Sequence, residues 1–441
     1  RVVTGGVISD RKGVNTPGVH LNREYLSQAD REDILFGLEH GMDMIAASFT
    51  ESADNVREMR AFLRENGGAD IPIIAKIESE RGLANAEEIL RESDGIMVAR
   101  GDMGVEIPLY EVPVMQKKLI AMANRAGKTV ITATQMLESM VNSYRATRAE
   151  ASDIANAIFD GTDVIMLSGE TASGSYPLEA VQTMAKIALR TEEALDYAAI
   201  FKGKGISDKI HSTEAISHAT VQIAQELDAD AIVTVTESGF TARMIAKYRP
   251  KCYVVGVSRI PARVRAMQFY WGVRPLLGPS SDNTDEMIEI SLKCAREHGY
   301  VKDGDSVVIT AGVPVGKPGS TNLIKVVNVG NKLVSGVGIG KRSVTGKICT
   351  AVTLTDFKEK LKPGDVLVVG VLPDEAAAYA SKAAAIIAEE GGLISSVAII
   401  AINCSIPVVV GAENALNLLK DDMEVTVDTV SGIVYEGAIN I

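Results

Sequence analysis

Between residues 42 and 170 the chain repeats one pattern: a short apolar run, then a longer stretch whose apolar positions recur three and four residues apart. The runs are MDMIAASF (42–49), IPIIAKIE (71–78), GIMVARGD (95–102), TVITATQM (129–136) and TDVIMLSGE (162–170). Helical spacing covers 53–66, 113–127 and 147–161; in the last, Thr147 and Glu150 are placed as a capping box and Gly161 as the stop. Strands alternating with helices predict βαβ units and a parallel sheet. In such sheets the chemistry sits at the carboxyl ends of the strands.

Those ends are where the polar residues fall: Ser48, then Lys76 and Glu78, then Arg100 and Asp102, then Thr132, Thr134 and Gln135, then Ser168 and Glu170. Any one of them could be a cap or a solvated edge. Five in succession predict a shared rim. Lys76 and Glu78, two residues apart, point the same way along an extended strand. Such charges are rarely buried unless paired or bound to a metal.

Beyond residue 196 the pattern predicts a helix over 211–228, a strand over 229–236 and further strands at 252–258, 306–314 and 322–330, a second and open α/β domain. From about 335, apolar runs at 343–352, 365–375, 385–411 and 423–438 predict a third.

Composition narrows the class. Hydrophobic residues at 46% and charged residues at 23% describe an ordinary globular chain. A net charge of −12 argues against nucleic acid and an anionic membrane as partners. Cys252, Cys294, Cys349 and Cys404 lie too far apart for a zinc or disulfide framework, which fits a reducing cytoplasm. No run approaches a membrane span, and no signal-peptide pattern is present.

Glu78 and Asp102 offer two hard oxygen ligands from neighbouring strands, too few for a closed cage but suited to Mg²⁺ or Mn²⁺, which keep water and substrate oxygens. Lys76 adds a mobile positive charge, and the glycine-rich ARGDMG (99–104) offers backbone N–H groups to an anion. Together these parts suit phosphoryl transfer or enolate chemistry.

KIESERG, GIMVARGDMGVEIP, NRAGKTVITATQMLESM, TRAEASDIANAI and DVIMLSGETASGSYPLEAV resemble the core of the pyruvate kinase family, in its order and spacing, and RKGVNTPG (11–18) and GMDMIAASF also match. The likeness runs over roughly 1–330 and implies transfer of phosphate from phosphoenolpyruvate to ADP. It implies the end of a lid domain at 1–24, the last five β/α units of a (β/α)₈ barrel at 25–195, a regulatory domain at 196–334 and an extra C-terminal domain at 335–441. Carried over by position, Glu78 and Asp102 hold the divalent metal, and Lys76 stabilises the moving phosphoryl group and the enolate. The backbone of Ala99, Arg100, Gly101 and Asp102 receives the substrate carboxylate. Thr134 assists there and stands near the face that gains a proton. Lys12 reaches the nucleotide phosphates.

The likeness further implies the phosphate of an allosteric effector, a sugar phosphate or a nucleotide, on the loop of Thr236, Ser238, Gly239 and Thr241, where Glu237 stands in place of the lysine of some relatives. It implies K⁺ dependence, a homotetramer and a cytoplasmic setting. The family's first three barrel strands, most of its lid and its K⁺ ligands precede RKGVN and are not in this chain. Five units cannot close a barrel, so residues 1–441 alone are expected to be inactive. Ala146 replaces a frequent proline, a tolerated change, and Trp271 reads as a packing residue.

Residues 391–411 resemble the swivelling phosphohistidine domain of phosphoenolpyruvate-using enzymes, with Ser396 at the histidine position. The chain's histidines are His20, His40, His211, His218 and His298, all upstream. Without a nitrogen nucleophile or an obvious base, this domain reads as a structural or regulatory appendage that stays unphosphorylated. Two other classes remain open: another metal-dependent barrel enzyme of pyruvate or enolate chemistry, such as an aldolase, and a catalytically inactive piece that binds effector and partner subunits.

Overall fold

The computed structural model describes residues 3–7, 16–17, 24–205, 212–279, 283–312 and 321–439. The chain divides into two compact units, Arg1–Gln222 with Thr234–Met287 and Ala311–Leu323, and Ile223–Val233 with Ile288–Thr310 and Ile324–Ile441.

The repeating segment forms five strands: β1 (Ile45–Ala47), β2 (Ile73–Ile77), β3 (Gly95–Ala99), β4 (Thr129–Ala133) and β5 (Val164–Met166). They pair in chain order, every pair parallel. Alternation assigns the faces. Ile73, Ala75, Ile77, Ile96, Val98 and Val130 join one core with helical residues such as Val56, Leu63 and Leu119. Ile74, Met97, Ile131 and Ala133 gather on the other face with Val164 and Met166. Each fully buried aliphatic side chain contributes about 1.5–3 kcal/mol, which explains why these runs sit in a sheet covered by helices. Lys76 follows Ile74 by two and takes the second face. Gly95 is required by close approach, since a Cβ there would stand 2.5 Å from the Thr129 carbonyl oxygen. The five predicted units are thus present, with β1 and β5 at the edges of an open sheet among the described residues.

Local signals place the helices. Ser52 caps Ala53–Glu65, and the predicted Thr147–Glu150 capping box forms at the start of Arg148–Phe159. One boundary differs from expectation. GIMVARGD was predicted as a strand with polar residues at its end, but β3 stops at Ala99 and a helix, Arg100–Glu106, begins at once.

The second domain carries β6 (Ala231–Val235), β7 (Tyr253–Ser258), β8 (Val273–Leu277), β9 (Ser306–Gly312) and β10 (Thr321–Asn328) in the order β10-β9-β6-β7-β8. Strand β8 contains Pro275, which hides it from a strand pattern and confines it to the sheet edge it occupies. Trp271 is 9% exposed, with the Arg249 guanidinium 5.1 Å from its ring centre, in keeping with the packing role expected of it.

The C-terminal sheet comprises β11 (Lys332–Ser335), β12 (Val337–Ile339), β13 (Ser343–Thr350), β14 (Val366–Val369), β15 (Ala385–Ala388), β16 (Val408–Val410), β17 (Glu424–Asp428) and β18 (Ile433–Glu436). Their order is β11-β18-β17-β13-β14-β15-β16-β12. Strands β13 to β16 run parallel, and antiparallel strands flank them. Strand β11 belongs to this sheet, so a boundary after residue 334 cuts it.

A half-buried amine gives this fold a pH signature. Lys204 donates to the Lys247 carbonyl, and burial pushes its ammonium down to about 6, with the Arg249 and Lys247 charges pushing the same way. An amine depressed in the folded state is more protonated when unfolded, so stability rises with pH between about 6 and the ordinary lysine value near 10.4. The slope from this one group is at most about 1.4 kcal/mol per pH unit. Urea titrations across that window should show the rise in the wild type, and Lys204→Met should flatten it; equal slopes would refute the assignment.

Candidate active site

Glu78 is the first residue beyond β2 and is 1% exposed. Its Oε2 accepts the Phe49 N–H at 2.7 Å, which ties the end of β1 to the end of β2. To aim that N–H, Phe49 takes φ +49°, a left-handed conformation that costs a non-glycine residue energy. The other oxygen, Oε1, lies 2.8 Å from Lys76 Nζ but receives no aligned hydrogen bond. Lys76 Nζ also donates to Ser48 Oγ at 2.8 Å. The Glu78 charge, after burial itself, helps raise the pKa of Tyr25, whose hydroxyl hydrogen-bonds Thr50 Oγ1.

Strand β3 is the neighbour of β2, with Lys76 in register with Met97. Asp102 lies in the first turn of the helix that follows β3, is half-buried, and has no hydrogen-bond or ion-pair partner among the described residues. Two carboxylates therefore stand at adjacent strand ends, each with an oxygen whose lone pairs are not filled by hydrogen bonds.

The expected N–H cradle is differently arranged. The Gly101 N–H donates to Thr134 Oγ1 at 2.9 Å, and that hydroxyl donates to the Ala133 carbonyl at 2.6 Å. Thr134 and Gln135 have φ of +69° and +55°, two successive non-glycine residues held in the left-handed region at the end of β4. Arg100 points its side chain away from the rim and is only 7% exposed. Its guanidinium grips both Asp153 oxygens at 2.7 Å and the Thr134 carbonyl at 2.5 Å, and so braces the strained turn from behind. Only the backbone of Arg100 remains for a ligand.

Two other rim candidates serve the fold. Thr132 is buried and donates to Thr162 Oγ1 at 2.9 Å. Glu170 is buried and accepts the Leu137 and Ser168 N–H groups at 3.0 and 2.8 Å. With Arg100, Thr132 and Glu170 committed to the fold, the expected rim keeps Ser48, Lys76, Glu78, Asp102, Thr134, the exposed Gln135 and the half-buried Ser168, with the Gly101 backbone beside Thr134. Sequence reasoning missed Asp153, whose pairing with Arg100 spans 53 positions and leaves no local signal. Lys12 lies outside the described residues.

On the expected effector loop, Thr236 Oγ1 accepts the Gly239 N–H at 3.1 Å and Ser238 Oγ accepts the Phe240 N–H at 3.3 Å. Gly239, at φ +79°, precedes the helix Phe240–Lys247. Thr241 is buried and shares a 2.6 Å hydrogen bond with Thr321, so its hydroxyl faces inward. Glu237 pairs with Arg259 at 2.8 Å.

In the C-terminal domain Ser395 caps the helix Ser396–Cys404. The single Ser396 hydroxyl hydrogen is shared between Glu390 Oε2 at 3.2 Å and the Leu372 carbonyl at 3.3 Å. A carboxylate therefore does lie beside Ser396, where the sequence showed no base.

Comparison with known proteins gives three family matches: pyruvate kinase, barrel domain, over residues 1–181; pyruvate kinase, alpha/beta domain, over 214–327; and PEP-utilising enzyme, mobile domain, over 361–432. The chain is 50% identical over 440 residues to the pyruvate kinase of Geobacillus stearothermophilus, covering 100% of this chain and 75% of that protein. It is 48% identical over 441 residues to that of Bacillus licheniformis, with 100% and 75% covered. Against the pyruvate kinase of Lactobacillus delbrueckii subsp. bulgaricus it is 44% identical over 443 residues, with 99% and 74% covered.

Proposed function

The chain belongs to the pyruvate kinase family, and from that premise we propose that it moves the phosphoryl group of phosphoenolpyruvate to ADP and protonates the enolate left behind, giving pyruvate and ATP. The observation that carries the site assignment is the buried Glu78 carboxylate held 2.8 Å from Lys76 Nζ, beside the strand that leads to an unpaired Asp102.

The donor set fits a divalent ion. Among the described residues no three His, Cys, Asp or Glu side chains gather into a closed cage. Two carboxylates leave positions for water and substrate oxygens, as Mg²⁺ or Mn²⁺ requires. Such an ion, held by Glu78 and Asp102, would neutralise charge between the carboxylate and phosphoryl oxygens of the substrate.

The remaining roles belong to the chain itself. Lys76, released from Ser48, turns its ammonium toward the phosphoryl oxygens and then the enolate oxygen, both of which carry charge as the P–O bond breaks. The substrate carboxylate competes with Thr134 Oγ1 for the Gly101 N–H, which frees that hydroxyl to order the water that delivers the proton. Lys12 is assigned to the nucleotide phosphates. The loop of Thr236, Ser238 and Gly239 is assigned to an effector phosphate, with Thr241 positioning the helix rather than touching the ligand. A cytoplasmic homotetramer and a K⁺ requirement are carried from the family, without ligands assigned for K⁺. Among the described residues, no helix is long and apolar enough to cross a membrane.

Incubating the chain with phosphoenolpyruvate, ADP and Mg²⁺ should form pyruvate, and a chelator should stop it. The matches run the length of the chain and lend no support to the expectation of inactivity. Absence of pyruvate, with a sugar phosphate still shifting the melting temperature, would favour the inactive, effector-binding alternative. Glu390 beside Ser396 repels an incoming phosphate as much as it activates the hydroxyl. Labelled phosphoenolpyruvate should therefore leave residues 335–441 unlabelled, and a phosphopeptide from that stretch would contradict this assignment.

A further inference from the structure

We propose that a small cavity lined by Asn124, Gly127, Lys128, Thr129, Arg243 and Tyr270 binds a monatomic anion, a halide. All six residues belong to one compact unit. The space is about 10 Å³, room for one water-sized particle. A halide, a single sphere, asks least of such a space, whereas a tetrahedral phosphate or sulfate would need the walls to part.

The charges around the space do not cancel. Asp163, also in the wall, is neutralised by Arg249 at 2.6 Å, and Lys247 by Glu214 at 2.6 Å. Asp94, beyond the wall, pairs with Arg60 at 2.6 Å. Among the described residues, Lys128 and Arg243 have no carboxylate partner. Lys128 places its three N–H bonds on the carbonyls of Leu90, Arg91 and Ser93 at 2.6, 2.9 and 2.6 Å, so it contributes charge without a free donor. Arg243 stacks on Phe240, with 5.4 Å from Cζ to the ring centre, and its Nε is buried without an acceptor. A buried guanidinium nitrogen without an acceptor is costly, and a nearby second cation raises that cost. Burial lowers the Lys128 pKa, and the Arg243 charge pushes the same way against Asp94. Tyr270, with its phenol pKa raised by burial, stays a neutral hydroxyl donor.

The location gives the ion a structural consequence. At φ +63°, Gly127 ends the helix before β4, and a Cβ there would lie 2.5 Å from Met244 Cε. The barrel segment and the helix Phe240–Lys247 therefore meet here, and a halide held by Arg243 Nε and the Tyr270 hydroxyl, in the field of Lys128, ties them together.

The test compares melting of the full chain in sodium bromide and in sodium gluconate at equal ionic strength, with anomalous diffraction from bromide-soaked crystals. Bromide should raise the melting temperature saturably and give a peak beside Arg243 Nε. Arg243→Gln should weaken its apparent affinity by about tenfold or more, the scale of one charged hydrogen bond. Tyr270→Phe should weaken it by about threefold, and it carries the test if Arg243→Gln fails to fold. Identical melting in the two salts, no peak in the cavity, or unchanged bromide dependence in both variants would overturn the proposal. Sulfate competing as well as bromide would overturn the size assignment and with it the halide.

Discussion

Lys76→Met should lower kcat for pyruvate formation by about 10²–10³-fold, the scale of losing one preorganised charge aimed at the transition state. The ammonium lies 2.8 Å from Glu78 Oε1 and 2.8 Å from Ser48 Oγ, with the side chain 23% exposed. It is held at the rim but free to turn. If it acts on charge that develops during transfer, KM for phosphoenolpyruvate should move far less than kcat. The variant also leaves a carboxylate that is 1% exposed without its ammonium, at a cost of about 1–3 kcal/mol. Adding Glu78→Gln should recover part of that stability and none of the turnover. A Lys76→Met enzyme within threefold of wild-type kcat would remove Lys76 from the chemistry and leave it as a counter-charge for Glu78.

Residues Lys76 and Glu78 were legible in the sequence because β2 runs to Ile77, so alternation holds to the position where it mattered. The same rule failed one strand pair away. Thr132 and Thr134 share a parity, and alternation would send both to the rim. Strand β4 ends at Ala133, however, and the left-handed turn at Thr134 breaks the alternation, so Thr132 faces Thr162 in the interior while Thr134 reaches Gly101. Arg100 and Glu170 were misread for a related reason. A period tells which face a residue takes, but not whether a carboxylate 53 positions away or a pair of loop amides will claim the side chain. The five-unit sheet, by contrast, follows from runs of β-branched residues with helices between them. That signal is local and repeated, and it survives errors of two or three residues at each end.

The largest loss of stability should come from Arg249→Met, outside the proposed active site. Arg249 and Asp163 pair at 2.6 Å with side chains only 4% and 10% exposed. The guanidinium also donates to the Gly161 carbonyl at 2.6 Å and to Asn124 Oδ1 at 3.0 Å. Asp163 uses its second oxygen to accept the Val130 N–H at 2.9 Å, inside the parallel sheet. Removing the arginine strands a buried carboxylate and two polar groups together, and breaking a buried pair from one side costs about 3–5 kcal/mol. Removing both charges with Asp163→Asn and Arg249→Met should cost less than the sum of the single changes, because the stranded charge goes with its partner. As a control, the exposed pair Arg190–Glu193, with side chains 75% and 70% exposed, should lose no more than about 0.5 kcal/mol in Arg190→Met. Urea unfolding of the two single changes, their combination and the Arg190→Met control separates the cases. An Arg249→Met protein within about 1 kcal/mol of wild type would mean that water reaches Asp163 and solvates it, in which case burial does not govern this pair.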